Sequence, residues 1–311
     1  MALHGLSSLT LGVPNIEDVT SYYKDFGLSP SRVDEDGTTH LSTLEGGEQL
    51  HVAYADRRRL LAMSVAADDD DDLGRVSAQL ARLDLDINVG EGRVSAWDPG
   101  TDVLVTVEVR PRVVVAPTPA TSYNRPGDTP RLNLRAPGIE RTDPVRPRKL
   151  GHVVLGSTDQ PSSQRFFSEG IGFKISDVVK DKAAFMRCST DHHNVLVQEA
   201  PITMLHHTSW QVDDVDDIGR GAMSMLEHDP GRHVWGLGRH HIGSNFFWYL
   251  KDPAGNFSEY YSDMDCIVDD ELWEPGVWDG MKSLYNWGPT PPDFFFRPED
   301  LAIHMAGAHI G

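Results

Sequence analysis

The same pattern occurs twice in this chain, and that duplication constrains its fold more than any other feature. Residues 6–15 read LSSLTLGVPN, with alternating apolar positions that end at Pro14-Asn15. The segment IEDVTSYYKDFGL follows, with Ile16, Val19, Tyr22, Tyr23 and Phe26 at helical spacing and Gly27 at its end. Residues 150–159, LGHVVLGSTD, and then QPSSQRFFSEGIGF repeat the shape, at an offset of 150 − 6 = 144. They read as strand, turn, and a helix with Pro161 in its first turn and Gly170 as terminator. Leu61–Arg75 (LAMSVAADDDDDLGR) parallels His206–Arg220 (HHTSWQVDDVDDIGR) at 220 − 75 = 145, and Asp98-Pro99-Gly100 parallels Asp252-Pro253. A chain built this way folds as two copies of one α+β unit. The aspartate run Asp68–Asp72 reads as a solvated turn capping the next helix, as Asp213, Asp214, Asp216 and Asp217 do in the second copy.

Eight prolines between Pro111 and Pro147 support neither helix nor central strand, so the stretch between the copies reads as an extended surface linker. The expected division is residues 1–112, a linker 113–147, residues 148–263, and a tail 264–311. The tail is too rich in aromatics (Trp273, Trp278, Tyr285, Trp287, Phe294, Phe295, Phe296) to stay disordered, and is expected to pack on the second copy and close a pocket. Charge excludes several function classes. With 28 basic and 47 acidic residues the net charge is −19, and the run Arg57-Arg58-Arg59 is too short to bind nucleic acid. Two cysteines, Cys188 and Cys266, make neither a disulfide framework nor a thiolate zinc site. There is no basic leader and no apolar run of membrane-spanning length, which points to a cytoplasmic protein without membrane partners.

The copies differ where chemistry would sit. The second has His152 where the first has Ser8, His207 where it has Ala62, and Glu259 where it has a Val/Thr strand near Val105. Glu259 follows the aromatic strand Phe246–Tyr249 and the turn at Asp252–Asn256. Alternation puts it on one face with Phe257 and Tyr261, and a carboxylate placed among aromatics needs a cation or strong hydrogen bonds. LGHVVLGSTD and LHHTSWQVDD read as first strands of two βαβββ units that share a curved sheet. Two imidazoles and one carboxylate on that sheet form a facial triad with open positions, the ligand set of non-haem Fe(II), with Mn(II) as a substitute.

On these residues the second half resembles the catalytic domain of the type I extradiol ring-cleavage dioxygenases of the vicinal oxygen chelate superfamily. The resemblance runs through Leu150-Gly151-His152, CSTDHH at 188–193, His207 with VDDVDDIGR, Gly238-Arg239-His240, and Phe247–Tyr249 to Glu259-Tyr260. It implies tandem βαβββ modules in two open-barrel domains, the glyoxalase-like fold, with only the C-terminal one catalytic. It implies His152, His207 and Glu259 as iron ligands, His193 as acid–base, and His240 and Tyr249 as contacts to substrate or oxygen. His241 competes with His240 for that place, and the Gly-Arg-His match and strand alternation favour His240. By alternation His192 and His206 should face away and be structural. His4, His40, His51, His228, His233, His304 and His309 read as ordinary surface or core residues.

The implied reaction is cleavage of a catechol by O2 beside its two hydroxyls, in aromatic degradation. The expected pocket is apolar, lined by Trp210, Phe246, Trp248 and the tail aromatics. With Arg232 and Arg239 the only arginines near the His240 motif, the ring substituent is expected to be alkyl, aryl or hydroxyl rather than strongly acidic. The rival readings are a metal lyase or epimerase on the same fold, which usually has a second glutamate ligand, and a non-enzymatic aromatic-binding protein. The tail aromatics and the resemblance also imply a homo-oligomer.

Overall fold

The computed structural model describes residues 3–119 and 122–308, so His309 lies outside it. The first half runs β1 (Leu3–Val13), α1 (Ile16–Asp25), β2 (Ser29–Val33), β3 (Thr39–Ser42) and β4 (Glu48–Tyr54). It continues with β5 (Arg59–Ala67), α2 (Asp70–Arg82), β6 (Ile87–Gly90), β7 (Arg93–Asp98) and β8 (Val103–Val109). This is βαβββ twice. The strands form one sheet in the order β2-β3-β4-β1-β5-β8-β7-β6, with β1 antiparallel to β5 and parallel to β4.

The second half repeats the plan. After a short helix α3 (Pro137–Glu140) come β9 (Lys149–Ser157), α4 (Gln160–Arg165), β10 (Lys174–Val179), β11 (Ala183–Arg187) and β12 (Val195–Glu199). Then follow β13 (Met204–Gln211), α5 (Val215–His228), β14 (His233–Arg239), β15 (Phe246–Lys251) and β16 (Phe257–Ser262). The sheet order β14-β15-β16-β13-β9-β12-β11-β10 mirrors the first, and the tail adds β17 (Gly276–Trp278) beside β10. Ser209 pairs with His152 and Glu259 as Ser64 pairs with Ser8 and Thr106, so the counterpart of Glu259 is Thr106.

Helix starts follow the aspartates. Asp69 accepts from the backbone of Asp72 to cap α2, and Asp214 caps α5 in the same way. One expected boundary moves. α4 runs on into a π-helical turn, Phe166–Ile171, and the left-handed stop is Gly172 (φ 98°) rather than Gly170. Gly27 (φ 96°) ends the first copy's helix; the offset would place its partner at 27 + 144 = 171, and the extra residue of the π turn moves it one further.

The two halves share one continuous apolar core. α1 turns Tyr22, Tyr23 and Phe26 against the second sheet. Phe26 stacks on Tyr260 at 3.9 Å, and the Tyr260 hydroxyl donates to the Phe26 carbonyl at 2.7 Å. The Gln49 side chain accepts from Leu150 N and donates to the Leu6 carbonyl, joining β1 to β9. All six residues of β16 are therefore buried, one face toward the site and the other toward α1. The linker is largely exposed around one short bridge at Arg125 and Asp128. The tail, with α6 (Asp293–Phe296) and α7 (Leu301–Ala308), packs Phe295 on the second sheet and also reaches the first half, where Arg58 holds Asp300 through two hydrogen bonds. No helix among the described residues is long and apolar enough to cross a membrane.

Candidate metal centre

β16, β13 and β9 are neighbours at the centre of the second sheet. Each contributes one buried side chain to a single point. His152 Nε2 lies 3.1 Å and His207 Nε2 lies 3.6 Å from Glu259 Oε2, and the three side chains offer ligand atoms all within 4.8 Å of one another. Pairing register explains the convergence. His152 and Glu259 flank Ser209 in one row across the sheet, and His207 stands two residues before Ser209 on the same face.

The donor set fits a divalent metal ion. Neither His207 Nε2 nor Glu259 Oε2 has a hydrogen-bond partner, although both are buried. Unpartnered buried polar atoms are expensive, so two of them aimed at one point mark a ligand's place. The ring nitrogens are also correctly committed. His206 Nε2 stands 2.9 Å from the Phe295 carbonyl, which only accepts, so the proton is on Nε2 and Nδ1 keeps a lone pair. His206 Nδ1 then accepts from His207 Nδ1 at 2.8 Å, and His207 Nε2 is left free to bind a metal. Burial, aided by His206, holds the His207 pKa well below the usual histidine range. Burial alone would raise that of Glu259, but His152, with Nε2 3.1 Å away, outweighs it and holds the carboxylate far below its ordinary range.

A cavity of about 650 Å³ opens on this point, and His193, His240 and Tyr249 all line it. The Leu284 carbonyl accepts from His240 Nδ1 at 2.6 Å, so His240 Nε2 accepts from the Tyr249 hydroxyl at 2.9 Å. Burial, then the nearby Glu259 charge, raises the Tyr249 pKa well above that of a free phenol. Asn245 donates to Glu259 Oε1 at 3.3 Å. His241 instead packs its ring against Trp278, 4.7 Å away.

Three expectations need correction. His206 does not face away from the site. A β-bulge between Leu205 and His207 interrupts alternation, and both rings line the cavity. His192 stays out of the cavity lining as expected, but not by alternation: it precedes β12 in a loop, and its Nδ1 lies 3.1 Å from His193 Nδ1. The expected aromatic lining is also wrong in part. Trp210 packs toward Tyr23, Trp248 donates to His233, and Phe246 lies under Arg239, because all three point from the face opposite the site. Phe185 and the tail residues Phe295 and Phe296 line the cavity, as do the cations Lys182 and Arg297. Arg232 and Arg239 are held elsewhere, by Asp25 and Asp263. His40, Glu48 and His51 also approach one another in the first half, but Arg32 pairs with Glu48 and His40 and fills the place of a cation.

Comparison with known proteins agrees with this geometry. The Glyoxalase/Bleomycin resistance protein/Dioxygenase superfamily profile matches residues 149–260. Metapyrocatechase 2 of Cupriavidus necator is 30% identical over 305 residues, covering 95% of this chain and 92% of that protein. A manganese-dependent 2,3-dihydroxybiphenyl 1,2-dioxygenase of Geobacillus genomosp. 3 is 30% identical over 157 residues, 47% of this chain and half of that protein's length. The structure of a halotolerant catechol dioxygenase superposes with a TM-score of 0.74 at 18% identity, covering 96% of each chain. The fold also carries glyoxalases, so it is the full-length relative, taken with the ligand set, that decides: this chain belongs to the extradiol catechol dioxygenases of the glyoxalase/dioxygenase superfamily.

Proposed function

We propose that the second half alone is catalytic and cleaves a substituted catechol with O2 at a mononuclear Fe(II) site held by His152, His207 and Glu259, with Mn(II) able to replace iron. The carrying observation is the buried, unpartnered pair His207 Nε2 and Glu259 Oε2 beside His152, facing the cavity. The corresponding places in the first half hold Ser8, Ala62 and Thr106, which make no such set. A bound Fe(II) would chelate the catechol oxygens and bring O2 into contact with the ring.

The chain's own residues do the rest. One carboxylate among neutral imidazoles keeps the site near neutrality when a catecholate binds. His193 is buried among other imidazoles, which holds its pKa well below the usual value, so it meets substrate as a neutral base. Tyr249, donating to His240, orients a substrate oxygen. Val154, Phe185, Leu196 and Ile242 give the ring an apolar seat and exclude water. Lys182 and Arg297 stand at the cavity and form no ion pair among the described residues, which brings acidic ring substituents back into range alongside alkyl and aryl ones. We place the enzyme in the cytoplasm, on its two free cysteines, and read it as a homo-oligomer, on its tail aromatics and its family.

The test is anaerobic mixing of iron-loaded protein with a panel of alkyl, aryl and carboxyl catechols, followed by air. A yellow ring-opened product from at least one is expected. Oxygen-stable catechol across the panel, with iron bound, would end the proposal.

A further inference from the structure

We propose that Asp177 and His192 are positioning residues that fix the His193 proton on Nδ1, leaving Nε2 as the nitrogen that takes a proton from substrate. This rests on the ring-cleavage reading for its consequence, but the geometry stands without it.

Asp177 lies on β10 and is 4% exposed. Its Oδ1 accepts the backbone N–H of Gly276 in the tail strand at 2.5 Å, and its Oδ2 lies 3.2 Å from His192 Nε2. An ionised carboxylate only accepts, so His192 carries its proton on Nε2 and keeps a lone pair on Nδ1. Two ring nitrogens 3.1 Å apart hold one proton between them, so the one facing His192 Nδ1 belongs to His193 Nδ1. His193 Nε2 is then the lone-pair nitrogen of a ring that lines the cavity. His192 is wholly buried, with its ring edge-on to Trp273 at 5.3 Å, which holds the chain in place. The fold uses the same device on the other side of the site, where the Phe295 carbonyl and His206 set the tautomer of His207.

The consequence is an order of events for one proton. The O–H bond of a substrate hydroxyl breaks, its electron pair stays on oxygen, and a new N–H bond forms at His193 Nε2. The resulting imidazolium is stabilised through His192 by the Asp177 carboxylate, and the same proton is later returned from Nε2.

Asp177→Asn tests this. With its amide oxygen on Gly276 N–H, the amide NH2 faces His192 Nε2. The chain reverses, and the proton moves to His193 Nε2. Nitrogen-15 NMR of the metal-free protein should show His193 Nε2 unprotonated in the parent and protonated in Asp177→Asn. In the iron-loaded enzyme kcat should fall by roughly 10² or more, with iron content, KM and anaerobic catechol binding within twofold. His192→Leu should show the same loss. His192→Asn, whose amide oxygen can replace Nδ1 as acceptor, should recover part of it. Protonated Nε2 in the parent, or an unchanged kcat in Asp177→Asn, overturns the proposal. A parent that opens no catechol removes the catalytic reading only, and the NMR still decides the tautomer.

Discussion

Glu259 is 0% exposed and meets three imidazoles, so its charge is tolerable only in this company. Glu259→Gln removes the charge and keeps the shape. Iron per chain measured after desalting should fall at least tenfold, with the circular dichroism spectrum unchanged. His206 makes a second prediction. Burial lowers its pKa to about 4, against the ordinary 6.5 of the unfolded chain. Between those values the unfolded state binds the extra proton, so this contribution is complete above pH 6.5 and is lost as pH falls toward 4, by about 3 kcal/mol in all. The melting temperature of metal-free protein should drop between pH 7 and 5, and His206→Asn should flatten that slope. At this scale the sequence was legible where two copies could be compared, at Ser8 against His152 and Ala62 against His207. It was not legible where a bulge or loop broke the period of two, at His206 and His192.

The tail shows what single elements add. Phe295 is 3% exposed, packs on His206, Tyr249 and Trp235, and lends its carbonyl to His206. Phe295→Ala should cost about 3 kcal/mol or more in denaturant unfolding and raise the KM for catechols, because it both leaves a void and opens the cavity wall. Composition alone said that these aromatics must pack. It did not say which of Phe294, Phe295 and Phe296 would turn inward, since a short helix in a proline-rich segment has no period long enough to read. The π turn at Phe166–Ile171 escaped for a similar reason: one inserted residue leaves the strand-turn-helix pattern intact.

Across the whole molecule the duplication carried the fold, but not the way the halves meet. Tyr22, Tyr23 and Phe26 look like the inner face of an ordinary amphipathic helix. In fact they complete the far side of the second sheet. The first half therefore supports the candidate site through β16 without adding a side chain to the cavity. Phe26→Ala, at 0% exposure, should cost about 3–5 kcal/mol. It should lower one shared unfolding transition in calorimetry; two separate transitions in the parent would show that the halves are independent. The central claim, one ferrous ion on His152, His207 and Glu259 opening a catechol with O2, is tested most directly by oxygen uptake on catechol against added Fe(II) per metal-free chain. The account predicts a linear rise to one equivalent, then a plateau, with one O2 consumed for each ring opened. Uptake that needs no metal, or a plateau reached with no ring-opened product, would contradict it.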